Sequence, residues 1–213
     1  MKRQLFWSLL LCTNLSSAQT FSVAITEDPS PLEKDDPAVA DLYSFLGVTR
    51  YAARFKMPDK RKHDVVVVMK SIYKDSIASI DTLLNTLPWQ KKIVGGFPWD
   101  PKEGAIFMAE RVDSIHMRIR FKFMMVAHKT ITLPWPNHGY ALDEGVRSGG
   151  KAVIMEFGKP MPLMVLTQPY PDPPPPKEAV IYRYCFGSDV PPEQWPATYG
   201  MAHLYVFELT VLP

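Results

Sequence analysis

Three tryptophans follow prolines, in Leu87-Pro88-Trp89, Phe97-Pro98-Trp99 and Leu133-Pro134-Trp135-Pro136. Proline fixes φ, so an aromatic ring beside it is held out at low entropic cost. Rigid exposed indoles suit the apolar faces of sugar rings. The opposing reading is that these rings close the ends of a core, since tryptophan is buried on average. Beyond Trp135, Asn137-His138-Gly139-Tyr140 continues through Asp143, Glu144 and Arg147, the densest set of reactive side chains in one loop. A stacking platform beside hydrogen-bonding groups has the composition of a glycan site. The expected contacts are Trp89, Trp99, Trp135, His138 and Tyr140.

A second feature is Ser114 to Met124, SIHMRIRFKFM, in which Ile115, Met117, Ile119, Phe121 and Phe123 alternate with His116, Arg118, Arg120 and Lys122. Side chains on a strand point to opposite faces in turn, so this segment has one apolar and one basic face. The basic residues would recur about every 6.6 Å. They could meet a sulfated or uronic-acid glycan or the phosphate of lipopolysaccharide. The plainer alternative is a solvated sheet face balanced by acidic residues on neighbouring strands.

Other chemistries find less support. His63, His116, His128, His138 and His203 show no metal-ligand spacing, so no metal and no cofactor is expected. Asp100 and Glu103 lie close together, but glycosidase carboxylates must face each other across a cleft. There is no Gly-x-Ser-x-Gly elbow, no phosphate-cradling glycine loop and no Cys-His signature. The chain reads as a non-enzyme.

The elements that would position these residues are mostly strands. Phe21 to Thr26, Val48 to Met57, Asp64 to Tyr73, Ile77 to Leu84, Ala105 to Val112 and Lys129 to Leu133 are expected strands. So are Ala152 to Phe157, Met161 to Thr167, Glu178 to Phe186 and Met201 to Leu212. Asp64 to Tyr73 should pair with Ile77 to Leu84, and Ala152 to Phe157 with Met161 to Thr167 across Gly158-Lys159-Pro160. Asp36-Pro37 looks like a helix start, with Val39, Leu42, Tyr43 and Leu46 at helical spacing. Thr86 to Glu103, Pro134 to Gly150, Pro169 to Pro176 and Pro191 to Gly200 read as loops, which hold most of the 21 prolines. The expected fold is mainly β: an antiparallel two-sheet β-sandwich with one short N-terminal helix.

Lys2-Arg3, the apolar run Leu5 to Leu11 and Ser16-Ser17-Ala18 form the three regions of a signal peptide. Residues 1–18 are expected to be cleaved, leaving 19–213 as a single domain with no membrane-spanning segment. Cys12 follows Leu9-Leu10-Leu11, which disfavours lipidation and sends it away with the leader. Cys185 is then the lone thiol, so the fold must hold by packing rather than by an internal disulfide. Two of the 24 Lys and Arg residues sit in that leader, leaving 22 against 22 Asp and Glu. Such a balance gives no global pull toward nucleic acid.

The run from Val66 to Leu84, VVVMKSIYKDSIASIDTLL, is a strand, a Lys-Asp turn and a polar return strand. It resembles a hairpin common in small secreted proteins of unknown function from Gram-negative bacteria. The resemblance implies an envelope or secreted location and carries over no functional residue. The expected role is a non-catalytic secreted or periplasmic binding protein with a glycan ligand. The alternative is a structural or assembly protein of the envelope, contacting partner proteins through loops and sheet edges, and a hydrolase ranks last.

Overall fold

The fold is described from a computed structural model, which defines residues 19–27, 36–46, 48–59, 63–74, 76–89, 104–113, 116–123, 127–134, 141–145, 150–167, 191–199 and 201–213. Eleven strands are described: β1 (Thr20–Glu27), β2 (Thr49–Lys56), β3 (Val65–Tyr73), β4 (Ser76–Asn85), β5 (Ala105–Arg111), β6 (His116–Phe123), β7 (Ala127–Pro134), β8 (Ala141–Glu144), β9 (Val153–Glu156), β10 (Met161–Thr167) and β11 (His203–Val211). Helix α1 (Pro37–Phe45) lies between β1 and β2, and a 3₁₀ turn (Pro192–Gln194) runs into α2 (Trp195–Tyr199) before β11. A further 3₁₀ turn covers Leu87–Trp89.

The strands form two antiparallel sheets. The first has the order β7-β6-β5-β2-β1-β9 and the second β4-β3-β11-β10-β8. Period-two patterning explains the packing. On β6, Met117, Ile119, Phe121 and Phe123 are at most 1% exposed, while the basic residues between them face out. Val23 and Ile25 of β1 and Ala53 and Phe55 of β2 point inward beside them. From the second sheet, Val67, Met69, Phe207 and Leu209 meet this layer. Phe107 joins the sheets, its ring 5.0 Å from Phe121 and 5.5 Å from Phe207. Rings at such separations add to the area they bury.

The final strand sits at the centre of the second sheet, paired along its whole length with β3 and on its other side with β10. It is buried on both faces, because a second, smaller cluster covers its outward side. Ile72, Val165, Leu204 and Val206 there receive Trp195 and Met201. Pro191 to Gly200 was expected to be a loop, yet the 3₁₀ turn and α2 occupy it. The expectation of one short helix therefore needs a second beside it. Pro192 at the first position needs no amide partner and presets φ, which lets this short turn form.

Two further expectations need correction. β9 and β10 do not form a hairpin with each other. β9 pairs with β1 in the first sheet, while β10 pairs with β11 and β8 in the second. Gly158, at φ +76, carries the chain between the layers, and its N–H bonds to the Val211 carbonyl at 2.7 Å. A short Gly-Lys-Pro connection fits a hairpin and this crossing equally, and burial decides: β10 is almost wholly buried, whereas Ile154 on β9 is 67% exposed at an edge. Pro134 to Gly150, expected as loop, contains β8. Leu142 is buried there, and four residues are too few to leave a periodic signature. The expected strand Glu178 to Phe186, and Pro169 to Pro176, lie outside the described residues.

Candidate binding face

The outward side of the first sheet is where charge collects. Alternation on β6 presents His116, Arg118, Arg120 and Lys122, and alternation on β2 presents Arg50, Ala52, Arg54 and Lys56. β5 lies between them and turns Ile106, Met108 and Glu110 outward. The register aligns Arg120, Met108 and Arg50 in one row, and Lys122, Ile106 and Ala52 in the next. Two lines of cations, two strands or about 9.6 Å apart, thus flank an apolar floor. Beyond β2 the face becomes neutral, with Ser22, Ala24 and Thr26 on β1.

Two carboxylates belong to this face among the described residues, Glu110 and Glu156. Glu110 is the cross-strand partner of Arg118, and its Oε1 accepts from Arg118 Nη1 and from Arg120 Nη2, each at 3.0 Å. One carboxylate shared by two guanidiniums leaves that trio net positive. Glu156 pairs at 2.7 Å with Lys159, away from the cation lines. His116 Nδ1 meets Asp113 at 2.9 Å in the turn before β6. Arg54 donates to Thr26 Oγ1 at 3.1 Å. The expected balancing acid on a neighbouring strand is present as Glu110.

Among the described residues, polar clusters lie elsewhere as well. Lys70 on β3 bonds Glu208 of β11 and Glu193 of the 3₁₀ turn, clasping that turn onto the second sheet. Burial pushes Glu208 above the ordinary carboxylate value, and donation to Glu193 adds to this, against the pull of Lys70. Burial also acts to raise Glu193, but its own backbone N–H, Glu208 and Lys70 outweigh that and hold it low. Lys70 is desolvated too, yet its two carboxylate partners raise it. Ser71 Oγ lies 2.8 Å from His203 Nε2, whose ring stands edge-on to Tyr205; burial lowers His203. Buried His63 faces Asp59 at 3.1 Å and the Leu212 carbonyl at 3.2 Å, and packs on Phe157. It fastens the end of β11.

Of the contacts expected from sequence, Trp99, Trp135, His138 and Tyr140 lie outside the described residues. Trp89 ends the 3₁₀ turn Leu87–Trp89, and its side chain is likewise outside them. The tryptophan whose ring is described, Trp195, is 2% exposed and closes the smaller cluster. Sequence reasoning found the β6 line of cations but passed over Arg50, Arg54 and Lys56. Their own signal was present, since TRYAARFK places basic residues on the same parity as Ala52. Only the strand order showed that both lines share a face.

Among the described residues no cluster of His, Cys, Asp and Glu could hold a metal ion, and no helix is long and apolar enough to cross a membrane. No protein-family model, curated protein or solved structure matches this chain.

Proposed function

We propose that this chain is a non-catalytic binding protein of the cell envelope and that its ligand is an anionic glycan. The observation that carries the reading is the outward face of the first sheet, where Arg50, Arg54, Lys56, Arg118, Arg120 and Lys122 share one surface. The leader-like pattern at residues 1–18 supports an extracytoplasmic setting, where sulfated, uronic or phosphorylated glycans are found. Solvent-exposed cations over an apolar floor recognise anions by charge. The polar clusters on the second sheet serve packing in this reading, each joining elements that must stay together.

Binding of the full chain to an array containing acidic and neutral glycans tests the reading. Acidic glycans should be retained and neutral ones not, with retention lost as salt rises. Uniform failure across the acidic set refutes it. Replacing Trp89, Trp99 and Trp135 by Ala asks separately whether the proline-flanked indoles contribute.

One observation favours the assembly reading as second choice. β4 is an edge strand of ten residues, with Ile77 46% and Ile80 58% exposed. An edge strand of that kind accepts a partner strand by main-chain pairing. Crosslinking that returns a stoichiometric protein partner, with no glycan bound, would favour it.

A further inference from the structure

We infer that β4 joins two copies of this chain, which pair edge to edge through Ser76 to Thr82 about a twofold axis at Ile80. This extends the assembly reading by naming the partner as the chain itself, and it does not depend on the glycan reading. Three observations carry it. Every residue from Ser76 to Thr82 is exposed, whichever face of the sheet it points to. Among the described residues, β4 pairs with β3 and stands at the end of its sheet. The stretch SIASIDT also holds no proline and no lysine, and its single charge is Asp81. Edge strands that stay single are commonly blunted by such residues. Finally, the register sets two isoleucines on one face. Ile80 lies opposite Lys70 and Ile77 opposite Ile72, with Ala78 as the extra residue of a bulge between them, and both isoleucines are exposed.

An edge of this kind takes an extended strand by main-chain pairing. A second β4 fits it. In an antiparallel pair centred on Ile80, Ile80 meets its own counterpart, and Ser79 meets Asp81 in both directions. Ser79 and Asp81 share a face, opposite Ser71 and Met69, so each carboxylate faces a hydroxyl donor. A parallel pair, or one centred on Asp81, would set the two carboxylates against each other, which destabilises. The regular part of the edge is short, since the extra residues Ala78 and Leu83 bound Ser79 to Thr82. Lys129 of β7 also donates to the Thr82 carbonyl at 3.2 Å, and a lysine at an edge hinders pairing. So short an interface buries well under the roughly 1,200 Å² of a standard one, so the pairing is transient, with Kd on the order of 100 μM. The axis stands normal to the sheet, which leaves the first sheets of both copies on the same side. A glycan chain met by one copy is then met by two; only that consequence rests on the glycan reading.

Sedimentation equilibrium of the full chain from about 10 μM to about 1 mM tests the pairing. The average mass should rise toward that of a dimer, and amide hydrogen exchange in β4 should slow as concentration rises. Ile80→Glu sets two carboxylates across the axis and should weaken association at least about tenfold. Lys129→Ala frees the Thr82 carbonyl and should tighten it severalfold. Ile154→Glu, at an exposed position of the edge strand β9, should leave it unchanged. Unchanged circular dichroism spectra certify the fold of all three variants. A chain that stays monomeric at the highest concentration overturns the proposal, even where a strand of another protein binds β4. So does a dimer that Ile80→Glu leaves intact or that Ile154→Glu dissolves. Glycan retention is measured separately, so failure of the pairing leaves that reading standing.

Discussion

Glu110 makes a prediction that separates a binding face from a merely solvated one. Its carboxylate holds Arg118 and Arg120 together, and all three are partly accessible, with side-chain exposures of 19%, 35% and 39%. Replacing it by Gln keeps the shape and one oxygen acceptor but removes the negative charge. Partly exposed ion pairs each contribute about 0.2–1 kcal/mol, so Glu110→Gln should cost about 1 kcal/mol. For a domain of this size that lowers Tm by about 2–4 °C. Binding should move the other way. An anion seated on the two guanidiniums would lie about 6 Å from that carboxylate, and unit charges at that distance in water repel by about 0.7 kcal/mol. Removing the repulsion should strengthen binding about threefold, since 1.4 kcal/mol corresponds to tenfold. At physiological salt the Debye length of about 8 Å halves the effect, so the measurement belongs near 0.01 M salt, where it is about 30 Å. The assay is calorimetric titration with a heparin fragment beside thermal unfolding. A destabilised variant with tighter, more salt-sensitive binding supports the argument. Equal or weaker binding by a folded variant would show that the ligand does not sit on this face.

Four other outcomes follow from the same structure. Phe121→Ala removes a ring at 0% exposure that packs on Phe107 and Phe123, and should cost about 3–5 kcal/mol in denaturant unfolding, against under about 0.5 for Lys122→Ala. Gly104→Ala should also be severe: at φ +52 the new Cβ would collide with the Ala53 carbonyl, and a loss of at least about 2 kcal/mol is expected in the same assay. Glu208 has its folded value raised above 4.5, so its contribution is full below that value and disappears as pH climbs through the raised one. Glu193, held low, behaves oppositely and withdraws support as pH falls through its depressed value. Thermal unfolding across pH should therefore decline on both sides, and Glu208→Gln should flatten the alkaline side of this decline. Deleting residues 203–213 removes the central strand of the second sheet, and circular dichroism should report an unfolded chain.

Local pattern carried much of this fold because strand faces are written with period two. SIHMRIRFKFM declared its buried and basic sides before any partner was known, and β3 and β4 paired as their Lys-Asp turn implied. The helix after Asp36 formed where its cap and proline placed it, with the Asp36 carboxylate accepting from the Ala38 N–H at 2.9 Å. Other features were illegible for stated reasons. A four-residue strand such as β8 has no room for a period. Trp195 reads as a loop residue because its helix is held by contacts with Ile72, Val165 and Val206, which are remote in sequence. Lys70, Glu193 and Glu208 meet only after three separate elements have docked.

The sequence by itself determined which residues of each strand face the core and where the cations of β6 would stand, because alternation is a property of the extended chain alone. Tertiary structure decided the rest. Whether β9 turns back on β10 or hands the chain to the opposite sheet depends on which edge buries more apolar surface, a comparison that no local segment contains. The same holds for the basic face of the first sheet: the cations of β2 and β6 are more than sixty positions apart, and only the insertion of β5 between them sets two lines of charge side by side.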